Sequence, residues 1–254
     1  EDFAVFHDCY TDNMVYSPDD VCAIGDIDQD GDLDVLIAEG LCSQIGWIEN
    51  LTNGTGVVTF GPFMQIDGDV NWATSVHAAD LDGDGDADVL SASLSDDKIA
   101  WYENQGGGTF GPQQVITTSA DGAYSVYATD LDGDGDADVL SASALDNTIA
   151  WYSLEAGTRN FTKHIVTDKG AARLKTAHAV DLDGDGDMDV ASAAQSGTVA
   201  WHENDGGGKF TDHILSNAHT KAHSVYTADM DGDGDVDVVA GSMGHGDKVR
   251  PNGV

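Results

Sequence analysis

The sequence predicts an all-β fold, a β-propeller of four-stranded antiparallel blades, and three observations predict it. An acidic string recurs with a near-constant period. Strand-forming segments flank every copy. A tryptophan returns at one fixed place in four of the units. The strings begin at Asp26, Asp80, Asp130, Asp181 and Asp229, so successive spacings are 54, 50, 51 and 48 residues. Such a period marks a repeat architecture, and about 40–50 residues hold the four strands of one propeller blade.

The elements of one unit follow from composition and punctuation. In the third unit, Ser125-Val-Tyr-Ala-Thr-Asp130 reads as a first strand, and the acidic string is the hairpin turn after it. Asp138-Val-Leu-Ser-Ala-Ser143 reads as a second strand, whose small residues suit a place where blades crowd together. Leu145 to Asn147 turn, and Thr148-Ile-Ala-Trp-Tyr-Ser153 is a third strand rich in β-branched and aromatic residues. A second turn leads to a fourth strand, Phe161 to Val166. Phe60, Phe110 and Phe161 are expected to open the fourth strands, about 20 residues before the next string.

Each string carries Asp at relative positions 1, 3, 5, 7 and 9 and Gly at position 6. The sets are Asp26, Asp28, Asp30, Asp32 and Asp34; Asp80, Asp82, Asp84, Asp86 and Asp88; and Asp130, Asp132, Asp134, Asp136 and Asp138. Two more follow: Asp181, Asp183, Asp185, Asp187 and Asp189; and Asp229, Asp231, Asp233, Asp235 and Asp237. Calcium takes six to eight oxygen ligands in a flexible cage, which alternate Asp side chains supply from one short segment. Positions 1, 3 and 5 point inward, position 7 offers its carbonyl, and position 9 closes the cage. Gly at position 6 permits the turn. Magnesium demands stricter octahedral geometry, so about five calcium ions are the expected cofactor. Crowded carboxylates repel one another unless a cation neutralises them. An EF-hand is excluded because position 12 is Ile37, Ser91, Ser141, Ser192 or Ala240 where Glu is required.

These units resemble the FG-GAP (VCBS-type) repeats of integrin alpha-subunit propellers and of many secreted proteins. The resemblance rests on the Asp-x-Asp-x-Asp-Gly-x-x-Asp loop, on Phe60-Gly61-Pro62 and Phe110-Gly111-Pro112, and on the strands Ile99 to Tyr102 and Ile149 to Tyr152. It implies a propeller with calcium in the hairpin between the first two strands of each blade. It also implies a binding or adhesion role more often than catalysis.

Residues 1–254 form one expected domain, with repeats at 17–67, 68–117, 118–167, 168–216 and 217–254. The last unit is incomplete, since Lys248-Val-Arg-Pro251 stands where the second unit has Lys98-Ile-Ala-Trp101. Phe3 lies 23 residues before Asp26, so Phe3 to His7, within residues 1–8, is a candidate fourth strand closing a five-bladed ring. The competing reading is a piece of a longer, about seven-bladed propeller.

Composition narrows the function. The net charge is −36, with 46 acidic against 10 basic residues. Nucleic acid and anionic membrane are implausible partners, because phosphates require Lys and Arg. No apolar run approaches the ~20 residues of a membrane span. No leader segment is visible, and Glu1 is read as a mature terminus after cleavage. Cys22 aligns with Val76 and Val126 and is expected to be a buried small hydrophobe, while Cys9 and Cys42 in connecting segments are candidates to pair. Glycosylation sequons at Asn50, Asn53 and Asn160 fall near the turn between third and fourth strands, on an expected exposed edge. Together these features suggest a secreted or cell-surface glycoprotein.

Trp47, Trp101, Trp151 and Trp201 recur on the third strand and are expected to pack between blades rather than to stack sugars. Trp72 stands outside that pattern and is the better ligand-contact candidate. His77 and His178, like Tyr127 and Tyr226, sit three residues before their strings and should face the channel or a neighbouring blade. No His/Cys spacing supports zinc. No catalytic elbow or paired acid stands out from the acidic strings, so no catalytic residue is assigned. The expected function is an extracellular recognition or adhesion module for a protein or glycan partner. The alternatives are a self-assembling structural subunit of an extracellular assembly, and a polysaccharide lyase or hydrolase on the same scaffold.

Overall fold

Short β-branched and small-residue segments alternate with Asp- and Gly-rich turns along this chain, and the computed structural model turns every such segment into antiparallel sheet. It describes residues 21–52, 58–155, 158–169, 171–218 and 221–242. Among the described residues there is no helix. The first sheet holds β1 (Val21–Gly25), β2 (Asp34–Glu39), β3 (Gln44–Asn50) and β4 (Phe60–Asp67). The second holds β5 (Ala73–Ala79), β6 (Asp88–Ser93), β7 (Lys98–Tyr102) and β8 (Gln114–Thr117). The third holds β9 (Ala123–Thr129), β10 (Asp138–Ser143), β11 (Ile149–Leu154) and β12 (Phe161–Thr167). The fourth holds β13 (Leu174–Val180), β14 (Asp189–Ala194), β15 (Val199–Asn204) and β16 (Phe210–Ser216). The fifth shows β17 (Ala222–Ala228) and β18 (Asp237–Ser242). Strands within a sheet pair in chain order, as blades do.

One expectation about strand starts is corrected. Phe110 makes an isolated bridge with Asn104, and the fourth strand of the second sheet begins only at Gln114. Gly106, Gly107 and Gly108 all take positive φ in the turn before it. The expected strand Phe3 to His7, the segment Lys248 to Pro251, Cys9 and Asn53 lie outside the described residues.

Burial explains why the second strands are built of Ser, Ala, Val and Leu. Every residue of β6, β10 and β14 is buried, because both faces of these strands are covered by other sheets. The core is a series of interfaces. Leu36 and Trp47 of the first sheet pack with Val76 and Tyr102 of the second. Leu90 and Trp101 pack with Val126 and Tyr152, and Leu140 and Trp151 with Ala177 and Val190. Trp47, Trp101 and Trp151 are thus packing residues. Trp201 is only half-buried and stacks on His213 at 4.6 Å. Close approach requires glycine at two turns: a Cβ at Gly108 would fall 2.2 Å from Trp47, and one at Gly208 would fall 2.6 Å from Trp151.

The first strands of successive sheets lie side by side, and hydroxyls join them. Ser75 Oγ accepts from the Val126 N–H at 3.3 Å, Ser125 Oγ from Ala177 at 3.2 Å, and Thr176 Oγ1 from Val225 at 3.1 Å. Further along the same strands an aromatic ladder runs from sheet to sheet. His77 meets Tyr127 at 4.4 Å, Tyr127 meets His178 at 4.8 Å, and His178 meets Tyr226 at 5.7 Å between ring centroids. The arc curves enough for Tyr124 of the third sheet to reach His223 of the fifth.

The ladder makes stability acid-sensitive. Burial, and then His178 on the far side of Tyr127, hold the His77 imidazole down at about 4, against an ordinary 6.5. A histidine with a depressed folded pKa contributes stability that is present above its unfolded pKa. That contribution is lost as pH falls from 6.5 toward 4. The full term is about 3 kcal/mol at 1.36 kcal/mol per pH unit. His77→Phe keeps a ring in the ladder and removes the term. Denaturant unfolding at pH 7 and pH 4.5 should show a smaller acid loss in the variant, and an equal loss in both proteins would refute the assignment.

Candidate metal centres

Each acidic string forms the hairpin between the first and second strands of its sheet. The ninth residue opens the second strand and is its anchor. Asp34, Asp88, Asp138 and Asp189 are buried, while Asp237 is exposed. Their Oδ2 atoms accept the N–H of position 2, from Ile27, Leu81, Leu131, Leu182 and Met230, at 2.9–3.2 Å. A third-strand N–H reaches Oδ1 in three sheets, from Asn50 to Asp34, Asn104 to Asp88 and Asn204 to Asp189, each at 2.8 Å.

The remaining carboxylates curl the loop around itself. The position 1 groups Asp26, Asp80, Asp130, Asp181 and Asp229 accept from the position 6 glycine N–H at 3.0–3.2 Å. The position 5 groups Asp30, Asp84, Asp134, Asp185 and Asp233 accept from the N–H of Asp32, Asp86, Asp136, Asp187 and Asp235 at 2.8–3.0 Å. The position 3 groups Asp28, Asp132, Asp183 and Asp231 accept from position 5. Position 6 takes φ between 94° and 100°, as Gly85 shows at 95°, a conformation that side chains resist.

The structure brings these groups together. Carboxylate oxygens of Asp26, Asp28 and Asp34 lie within 4.8 Å of one another, as do those of Asp80, Asp82 and Asp88 and of Asp130, Asp132 and Asp138. In the fourth loop the converging set is Asp181, Asp183 and Asp185. Burial, with neighbouring carboxylates, raises Asp28, Asp82, Asp132 and Asp183 above the ordinary carboxylate range. Burial pushes Asp88 up to about 6 and Asp138 up to about 7. These residues fit a hard divalent cation. The donors are all carboxylate oxygens, the crowding opposes ionisation without a cation, and Asp26 Oδ1 is buried with no hydrogen-bond partner.

The first loop differs from the rest. Position 4 is glycine elsewhere, and its N–H donates to the position 1 carboxylate at 2.6–2.8 Å. Gln29 stands there in the first loop at φ 64°, and Asp26 Oδ1 is left unpartnered. The Gln29 amide instead reaches the second loop, donating to the Gly85 carbonyl at 2.7 Å.

A Trp-x-Glu-Asn recurrence on the third strand escaped the sequence reading. It occurs at Trp47 to Asn50, Trp101 to Asn104 and Trp201 to Asn204, but the third unit has Ser153 and Leu154. Glu49 joins Asp28 and Asp30 in a second carboxylate group. Glu103 is instead paired with Arg159 at 2.7 Å, and Glu203 with His213 at 2.7 Å. The asparagines tie loops together. Asn104 Nδ2 donates to Ile27 of the preceding sheet's loop at 2.8 Å and to Ala87 at 3.0 Å. Asn204 Nδ2 does the same with Leu131 and Met188. Leu154 in that place offers no side-chain amide to tie the loops.

Other candidate residues fall elsewhere. Asn50 is half-buried and its Nδ2 donates to the Leu33 carbonyl, whereas Asn160 is exposed. Cys42 is disulfide-bonded, and the candidate partner Cys9 lies outside the described residues. Trp72 precedes β5, at the opposite end of the first strand from the loops. It is not outside the repeat, because it occupies the backbone position of Gly122, Arg173 and Lys221, all with φ near 60°.

Asn104→Ala should leave the Ile27 and Ala87 carbonyls without this donor and lower stability by about 1–3 kcal/mol. Denaturant unfolding measures it, and an unchanged midpoint would show that the inter-sheet bond contributes nothing.

A family model described as an FG-GAP-like repeat matches residues 26–91, 80–141, 130–192 and 181–240. No curated protein matches the chain. Among solved structures, an Agrocybe aegerita lectin is similar at 20% identity and a TM-score of 0.60, over 87% of this chain and 60% of the lectin. That structure is described as the basis of specific recognition of non-reducing terminal N-acetylglucosamine. The V. cholerae biofilm matrix protein aligns at 20% identity and a TM-score of 0.49, over 87% of this chain and 34% of the other. This chain therefore spans 60% of the lectin's length, and at this identity the likeness is one of fold.

Proposed function

This chain belongs to the FG-GAP-like repeat family, and from that premise we propose that it is a calcium-loaded β-propeller acting outside the cell as a recognition module. The partner is an extracellular protein or glycan. One observation carries the reading: the same carboxylate loop recurs in the hairpin between first and second strands of every sheet, and in four of them its oxygens gather within 4.8 Å. The ligands are positions 1, 3, 5 and 9 of each loop, with the position 7 carbonyl. Calcium suits them better than magnesium because the loop offers many oxygens in an adaptable cage. When bound, the ion neutralises the crowded carboxylates. The chain's own residues hold the loop's shape through the glycine turn and the ninth-position anchor.

The curvature that joins Tyr124 to His223 supports a ring of about five blades, in one domain spanning residues 1–254 with repeats as delimited above. A longer ring of which this chain is a piece is the competing geometry. The acid-rich surface favours solubility and cationic or polar partners over phosphate-bearing ones. The lectin that shares the fold recognises a sugar terminus, which supports glycan recognition as the first function to test.

Extracellular calcium modules bind at roughly 10⁻⁴–10⁻³ M. At calcium tenfold above Kd each site adds about 1.4 kcal/mol, and five sites add about 7. At about 2–4 °C per kcal/mol, the melt in calcium should lie some 15–25 °C above that in chelator. An unmoved melt would sink the calcium reading. Calorimetric titration should resolve unequal sites, with the Gln29 loop apart from the glycine loops, and five identical sites would contradict that assignment. A glycan array in calcium tests the recognition reading, and an array with no bound glycan turns the search to protein partners.

A further inference from the structure

Three third strands carry glutamate at one fixed place, and its surroundings differ from sheet to sheet. Glu49, Glu103 and Glu203 stand two residues after Trp47, Trp101 and Trp201, and the third sheet has Ser153 there. Glu103 is held by Arg159, which donates to both carboxylate oxygens at 2.7 and 2.8 Å and lies over the Trp101 ring. Glu203 pairs with His213 Nε2 at 2.7 Å. Glu49 has no cationic partner among the described residues. Its carboxylate lies instead with those of Asp28 and Asp30, with oxygens of all three within 4.8 Å of one another.

The fold explains why Glu49 is left to the loop. Arg159 stands two residues before Phe161, and the same place in the second sheet is Gly108, before Phe110. Gly108 packs so closely that a Cβ there would overlap the Trp47 ring, so this turn offers no cation to cover Glu49. The β3–β4 ladder also shifts register between Ile48 and Asn50, which sets Gly61 and Pro62 together against Glu49. In the fourth sheet Glu203 pairs regularly with Thr211. Such a bulge bends its strand and re-aims side chains. An independent observation lies in the loop itself. In the other four loops the position 4 glycine N–H occupies the position 1 carboxylate. Gln29 makes no such bond, and Asp26 Oδ1 is shielded from solvent with no hydrogen-bond partner.

We propose that Glu49 is a further ligand of the cation at the first loop, and that this loop is the tightest of the five. The inference rests on the calcium reading above and assigns the unequal affinity of that site to a residue outside the loop. Each loop offers four carboxylates and one carbonyl, fewer than the six to eight oxygens that calcium takes, so at least one place stays open. At the first loop a third-strand carboxylate fills it. Asp26 also keeps for the cation an oxygen that a glycine N–H occupies elsewhere. Ligand charge count is one of the levers that set affinity among calcium loops. Glu103 and Glu203, neutralised by Arg159 and His213, give their loops no such addition.

Titration of the protein with calcium against a chromophoric chelator tests the proposal. The wild-type chain should show one step tighter than the rest. Glu49→Gln and the shorter Glu49→Asp should each weaken that step about tenfold or more. The loss should be alike at low and high salt, because a ligand contact is screened far less than an exposed charge. Glu203→Gln removes the same charge from the same strand position and should leave the tight step in place. Thermal melts supply a readout that a merely structural role would not produce. In chelator, Glu49→Gln should melt at or above the wild-type temperature, because one repelling carboxylate is gone. In calcium it should gain less than the wild type. A lower melt in both conditions would mark Glu49 as a structural residue and overturn the proposal. So would a tight step that survives Glu49→Gln, or a weakening that Glu49→Asp reverses and salt erases. Calcium binding that Glu49→Gln leaves unchanged defeats this proposal alone, whereas a protein that binds no calcium defeats the calcium reading with it.

Discussion

The buried carboxylate at the ninth position of each loop is the constraint on which the rest of this structure depends. Asp88 shows the whole device. It begins a second strand, accepts the N–H of Leu81 to set the turn, and accepts the N–H of Asn104 to bind the third strand to the same point. Leu81 is thereby turned inward and buried at the boundary with the next sheet. Asn104, held by its backbone, sends its side chain to the preceding loop. One charged group thus orders a hairpin, a third strand and two inter-sheet contacts. A buried carboxylate is costly without compensation, and the two N–H donors leave its pKa raised to about 6. Under the proposed calcium reading, a cation sharing the oxygens would offset that cost and tie the loop to the packing between sheets.

Because every sheet makes its main contacts with the sheets on either side, the molecule is a chain of similar interfaces rather than one central core. The similarity is what makes the departures informative. The first loop substitutes Gln29 for glycine and exchanges an internal bond for a bond to the second loop. The third sheet carries Leu154 where others carry asparagine, and so lacks the side-chain amide that bonds loop carbonyls elsewhere. In the second sheet the pairing is interrupted between the Asn104–Phe110 bridge and the fourth strand at Gln114. Each departure changes a single local contact while the sheet order is unchanged, as expected where stability is summed over neighbours.

The two ends of the first strands have opposite character. At one end carboxylates dominate and the backbone turns through glycine. At the other, hydroxyls of Ser75, Ser125 and Thr176 join the sheets, and the rim carries Trp72, Arg173, Lys175 and Lys221. Between them the ladder of His77, Tyr127, His178 and Tyr226 fills the space where first strands converge. This polarity separates the repeated carboxylate hairpins from a rim whose side chains differ from sheet to sheet. The hairpin end repeats because every sheet needs it, while the rim residue changes from sheet to sheet on a constant backbone.

Much of this was legible in the sequence, because the loop's chemistry is local. Asp at alternate positions with Gly at position 6 specifies a carboxylate turn within nine residues, and the near-constant period with its tryptophans specifies repeated four-stranded sheets. The inward packing of Trp47, Trp101 and Trp151 followed from the same recurrence. The Glu and Asn after those tryptophans were equally visible, but their meaning depends on a neighbouring sheet, and only the assembled fold brings Asn104 beside Ile27. The same is true of the half-buried state of Asn50, of Gln29 crossing to Gly85, and of the cavity beside Trp72, Tyr124 and Lys175. Its walls come from segments about fifty residues apart, so no window along the chain contains it. Sequence alone determined the turns, the strands and the carboxylate loops, whose contacts are near neighbours in the chain. Tertiary structure decided which side chains meet across sheets, because those contacts are set by the curvature of the arc and by what each interface can exclude from water.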